Sequence, residues 1–128
     1  MASILRVNTL TDASSNNSIA TSFVFSGSAK VWADVDMTGT ATLDDSFNVS
    51  GLTDHGTGSF TITHNSDMGN GNYVYTAGFN NEVSDASAFL KIHSPGDKLA
   101  ASAQFLKKEN GSAVDCSGNY IAIHGDLA

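Results

Sequence analysis

The feature that most constrains this chain is a two-residue alternation that begins near Val31 and returns, segment after segment, to the carboxyl terminus. In "AKVWADVDM" Val31, Ala33 and Val35 oppose Lys30, Trp32, Asp34 and Asp36. Only an extended strand puts such a set on one side, because successive side chains point to opposite faces. "SFTITHN" sets Phe60, Ile62 and His64 against threonine hydroxyls, and "YVYTAGF" aligns Tyr73, Tyr75, Ala77 and Phe79. "AFLKIHS" opposes Ala88, Leu90 and Ile92 to Phe89, Lys91 and His93, and "NYIAIHG" opposes Ile121 and Ile123 to Tyr120, Ala122 and His124. Phe23 and Phe25 share a face upstream, and Ala41 and Leu43 followed by Phe47 and Val49 continue the pattern. Turn signals such as "TDHGTG" and "SDMGNGN" separate these runs. The reading is an all-β fold, a β-sandwich or jelly-roll of about eight short antiparallel strands. No repeat of solenoid or propeller period is present.

One segment resists that pattern. In "KLAASAQFLKKE" the alanines, leucines, glutamine and lysines favour helix by local propensity. A strand with Leu99, Ala101, Ala103 and Phe105 inward satisfies the alternation equally well. Strand is the expectation, because context overrides propensity where every neighbour is a strand.

The 128 residues suit one domain, long enough to bury a core without disulfide or metal staples. Only 15% of residues are charged, so neutral Ser, Thr, Asn and Gly carry the polarity, as turns and strand faces require. The N-terminal "SILRVNTL" reads as a short strand or extended arm carrying Ile4, Leu5, Val7 and Leu10. Asp12 to Ala20 reads as polar linker. Residues 1–21 are thus expected to be arm and linker, and residues 22–128 the β-sandwich domain. A net charge of −7 opposes binding to a phosphate backbone, so no nucleic-acid partner is expected. No apolar run approaches bilayer length, so no membrane partner is expected. The opening residues lack the apolar core of a secretory signal, and synthesis in a reducing cytosol is expected. Cys116 is the lone cysteine, which excludes an intramolecular disulfide and a multi-cysteine metal site.

Chemical motifs are scarce. No G-x-S-x-G elbow and no H-E-x-x-H spacing occurs, and no catalytic residues are expected. Asp34 and Asp36 share a strand face with Asp44 and Asp45 nearby, a conceivable set of calcium oxygens. Outward carboxylates are more often solvated, so neither metal nor cofactor is expected. Trp32 on that face could stack on a sugar, but a large aromatic between strands more often belongs to a core or subunit interface. Trp32, Phe47, Phe60 and Tyr73 are the side chains assigned to that structural role. His64, His93 and His124 sit beside apolar neighbours as structural histidines, and Cys116 has no cationic neighbour to activate it. Asn48-Val49-Ser50 matches a glycosylation acceptor by chance. The loop tips holding Asp54, His55, Asp67, Asn70 and Asn72 are the place for a ligand if there is one.

The stretch from Ala29 to Tyr75 carries a resemblance. Ala29, Lys30 and Trp32, then Thr38 to Thr40, the Ser46 to Ser50 run, Thr53 to Gly58, and finally Met68, Asn72 and Tyr73 stand in an order similar to small tail-fibre-like or decoration-type virion structural proteins of tailed, especially marine, bacteriophages. The opening "ILRVNTLTDASSNN" and the closing "IHGDLA" look like the two ends of such proteins. Val35 and Met37 depart from the pattern, standing where relatives carry an aromatic and a glycine. The resemblance implies a homotrimeric capsid decoration or cement protein, or a short head or tail fibre. It would be made in the bacterial cytoplasm and exposed on the particle surface. Its N-terminal arm would dock on a major capsid or tail protein. The alternative implied is a fibre module that binds host carbohydrate.

Overall fold

The computed structural model describes residues 4, 6–14, 17–80 and 87–128; Leu5 of the expected arm lies outside them. In chain order the elements are β1 (Thr9–Thr11), β2 (Ser18–Ala20), α1 (Thr21–Gly27), β3 (Val31–Asp36), β4 (Thr42–Phe47), β5 (Val49–Asp54), β6 (Ser59–His64), β7 (Val74–Phe79), β8 (Phe89–Ile92), β9 (Ser102–Glu109), β10 (Ser112–Ala113) and β11 (Asn119–His124). The protein is the all-β sandwich that the alternation predicts. One sheet runs β4-β3-β11-β7, and the other runs β10-β9-β6-β5 with β8 also on β9. Phe105 pairs with Phe60 on one edge of β9 and with Ile92 on the other, so β8 lies on the far edge from β6. All pairings are antiparallel.

The core is the space between the two inner faces. Val31, Ala33, Val35, Ile121 and Ile123 come from the first sheet, and Phe60, Ile62, Ala103 and Phe105 from the second. Phe60 and Phe105 stack at 5.7 Å, and Tyr75 meets Phe105 edge-on across the sheets. Removal of such apolar area from water dominates the fold's stability. Val31, Ala33 and Val35 on β3, Phe60 and Ile62 on β6, and Ile121 and Ile123 on β11 are all inward, as the period requires.

The ambiguous segment resolves as strand β9, but later than expected. Ala103, Phe105 and Lys107 face inward, whereas Leu99 and Ala101 are exposed, because a tight turn from Leu99 to Ser102 precedes the strand. Phe47 also departs from the pattern. Asp34 pairs with Asp45 but Val35 pairs with Leu43, so Asp44 is the extra residue of a β-bulge. The bulge flips the phase of β4, sending Leu43 inward and Phe47 outward beside Trp32. Asn48 then turns the chain into the second sheet at φ 58°. Its side-chain amide donates to the carbonyls of Lys30 and Ser66, and its oxygen accepts the Ser66 N–H. The Asn48-Val49-Ser50 match is thus a structural corner.

The N-terminal segment differs most from the sequence reading. Of the short strand or extended arm expected there, Thr9–Thr11 is a strand, and it pairs as a hairpin with Ser18–Ala20 of the expected polar linker, Thr9 opposite Ala20 and Thr11 opposite Ser18. "TSFVFSG", read as a strand bearing Phe23 and Phe25, is the helix α1, in which no residue is buried. The sandwich begins at Val31, and the expected boundary at residue 22 falls inside α1. Lys30 ties the helix to the sandwich: its ammonium bonds to the carbonyls of Phe25 and Ser28 and lies 4.5 Å from the Phe25 ring centroid. A cation at the carboxyl end of a helix is favoured by the exposed carbonyls there.

Candidate functional site

The outer face of the β4-β3-β11-β7 sheet carries the most distinctive surface. Strand register fixes its layout. Across one row stand Phe47, Trp32, Ala122 and Thr76, and across the next Asp45, Asp34, Tyr120 and Gly78. Trp32 and Tyr120 are therefore diagonal neighbours on adjacent strands, with small residues beside each. A depression of about 450 Å³ opens between them, floored by Ala122 and Gly78. Pockets of that size suit small molecules.

Glycines set the posture of Tyr120. A Cβ at Gly118 would lie 2.5 Å from the Tyr120 hydroxyl and 2.8 Å from Asn80 Nδ2, and one at Gly78 would touch the ring at 3.9 Å. The ring thus lies down along its own strand over backbone that carries no side chain, and its upper surface faces solvent. Trp32 is 37% exposed and Tyr120 41%.

Asp34 stands beside Tyr120 in its row and two residues along β3 from Trp32. One carboxylate oxygen, Oδ1, is shielded from solvent and has no hydrogen-bond partner. Its neighbours are occupied: Asp36 accepts from the Thr38 N–H and hydroxyl, and Asp45 accepts from the Ser46 N–H. Desolvation, followed by the charges of Asp44, Asp36 and Asp45, raises the Asp34 pKa above the ordinary carboxylate value. The Thr38 hydrogen bonds lower that of Asp36.

No family model, curated protein or solved structure matches this chain.

The residues singled out in the sequence fall in three places. Phe60 and Tyr73 are core, whereas Trp32 and Phe47, at 37% and 54% exposure, stand on the outer face. The arm residues Ile4, Val7 and Leu10 are all exposed. The loop residues do not form one site. Asp54 and His55 lie before β6, and Asp67, Asn70 and Asn72 beyond its other end. They are engaged locally: Asp54 accepts from the Gly56 N–H, His55 Nε2 contacts the Thr61 hydroxyl, and Asn70 accepts from the Asn72 N–H. His64 Nδ1 donates to the Ala100 carbonyl, while its Nε2 is buried without a partner. The Cys116 thiol is buried and contacts the Gly118 carbonyl and Asn119 Oδ1. Among the described residues no group of three or more His, Cys, Asp or Glu could hold a metal ion, and no helix is long and apolar enough to cross a membrane.

Tyr120 and Thr76 were missed as surface partners of Trp32. Their outward direction is legible from the alternation of β7 and β11. Their neighbourhood is not, because β11 pairs with strands about forty and ninety residues upstream in sequence.

Proposed function

We propose that this chain is a structural protein of a phage particle, a homotrimeric decoration or short-fibre subunit that docks on a major capsid or tail protein. The observation that carries this reading is the N-terminal segment. Ile4, Val7, Leu10, Ile19, Phe23, Val24 and Phe25 are all exposed, with Ile4 at 75% and Phe23 at 71%. A seven-residue helix with no buried residue and a hairpin of two three-residue strands lie far below the size that is stable alone in water. Burial against another chain is what such elements require, and a patch this apolar marks an interaction surface.

The segment divides by position. Lys30 and the contact of His124 Nδ1 with the Gly27 carbonyl fix the end of α1 to the sandwich, so α1 suits contacts between copies. Ile4 and Val7 lie before the hairpin and suit docking on another virion protein. The resemblance of residues 29–75 to virion modules supports placing the protein on a particle surface after synthesis in the bacterial cytoplasm. The mechanism is mechanical and needs no catalytic group or cofactor.

Light scattering on the purified chain tests the reading. A trimer is expected, and Phe23→Ser with Phe25→Ser is expected to give monomers that keep the β-sheet circular dichroism. A wild-type chain that is monomeric across the accessible concentration range overturns it.

A further inference from the structure

We propose that the outer face formed by β3, β7 and β11 binds a neutral sugar unit, with Tyr120 and Trp32 as stacking surfaces and Asp34 as the hydroxyl acceptor. The inference is independent of the N-terminal segment.

A pyranose ring has two chemical characters. Its axial C–H groups make a flat apolar patch that packs on the electron-rich face of an aromatic ring. Its equatorial hydroxyls need donors and acceptors around that patch. The β3, β7 and β11 face supplies both in one depression. Tyr120 lies flat over Gly118 and beside Gly78, so its ring surface rather than its edge is offered. No other aromatic ring among the described residues stacks on Tyr120 or Trp32. Ala122 and Gly78 leave the floor low enough for a ligand to sit between the two rings.

The polar complement is also present. Asp34 is half-buried and lines the depression, so its carboxylate stands at the edge of the space between the rings. An ionised carboxylate there can accept a hydrogen bond from a ligand hydroxyl. Thr76 adds a hydroxyl on the far side of Ala122, and Asn80 Nδ2 comes over Gly118 beside the Tyr120 hydroxyl.

Charge selects the class of ligand. Asp34, Asp36, Asp44 and Asp45 cluster on β3 and β4, and the chain carries only six Lys and Arg, of which Lys30 and Lys107 are buried. Phosphorylated, sulfated and carboxylated sugars are repelled, as is nucleic acid. A second copy of the same face is opposed by the same repulsion. A neutral hexose or N-acetylhexosamine is the class that remains.

The test uses the full chain against an array of neutral oligosaccharides built from hexoses and N-acetylhexosamines, followed by titration of the strongest hit. Binding is expected to shift the Trp32 indole and Tyr120 ring resonances. Trp32→Ala is expected to weaken it roughly tenfold, the scale of one lost aromatic contact. Thr76→Glu, a change at an exposed position, is expected to abolish it while leaving the fold intact. Absence of any hit on the array overturns the proposal, as does binding that survives Thr76→Glu. A change of oligomeric state in either variant, with no glycan bound by the wild type, assigns the face to a subunit contact and overturns it too.

Discussion

Lys107 faces inward from β9, where its ammonium bonds to Glu109 and stands 4.6 Å from the centroid of the Phe79 ring. Removing one partner of a buried pair leaves the other charge without compensation. Glu109→Ala is therefore expected to cost about 3–5 kcal/mol in urea unfolding. Replacing both, as Lys107→Met with Glu109→Leu, is expected to fall within about 1 kcal/mol of wild type, because the desolvation cost disappears with the charges. Tyr73 offers a second measurement at this scale. Burial pushes its hydroxyl up to about 12 from the ordinary tyrosine value of 10.0. Between those values the unfolded chain releases the proton while the folded chain keeps it. The associated stability is thus fully present below about pH 10 and falls as pH rises toward 12. An alkaline ultraviolet titration should show a late tyrosinate component in the folded protein, and Tyr73→Phe should remove it.

At the scale of elements, two glycines that look alike in sequence have opposite tolerances. Gly58 closes the β5–β6 turn at φ 68°, and a Cβ there would lie 2.6 Å from the Lys107 carbonyl oxygen and 2.8 Å from the Val114 nitrogen. Backbone on both sides cannot yield, so Gly58→Ala is expected to lose more than about 2 kcal/mol. At Gly118 the atoms in the way are the ends of the Tyr120 and Asn80 side chains, which can swing outward. Gly118→Ala is expected to cost under about 1 kcal/mol, yet to lift the Tyr120 ring and alter its NMR signals. The same distinction between local and non-local causes explains what the sequence revealed. Alternation on β3, β6 and β11 was legible because each strand keeps one face buried from end to end. The phase of Phe47 was not legible, since the bulge at Asp44 is defined only against β3. The helix at Thr21–Gly27 was hidden because Phe23 and Phe25 fit alternation while neither is buried. The Trp32 half of the candidate site could be read from the sequence. The Tyr120 half required knowing that β11 lies between β3 and β7.

For the whole molecule, the decisive contrast is between a sandwich with a closed core and an N-terminal segment without one. Val31, Val35, Phe60, Ile62, Phe105 and Ile123 are wholly buried within a single chain, so the sandwich contains its own source of stability. The described residues among 9–27 bury nothing comparable, and in the proposed trimer other copies would cover Ile19, Phe23, Val24 and Phe25. Association that favours the folded form makes stability depend on concentration by mass action. Thermal unfolding of the wild type is expected to shift to lower temperature on dilution, with the weak helical signal lost before or together with the β-sheet signal. In the Phe23→Ser, Phe25→Ser variant the sandwich transition should remain but no longer move with concentration. A wild-type midpoint that is the same at every concentration would mean that the apolar segment is not covered by copies of this chain. Its role would then be docking alone, and the trimer would have to be abandoned.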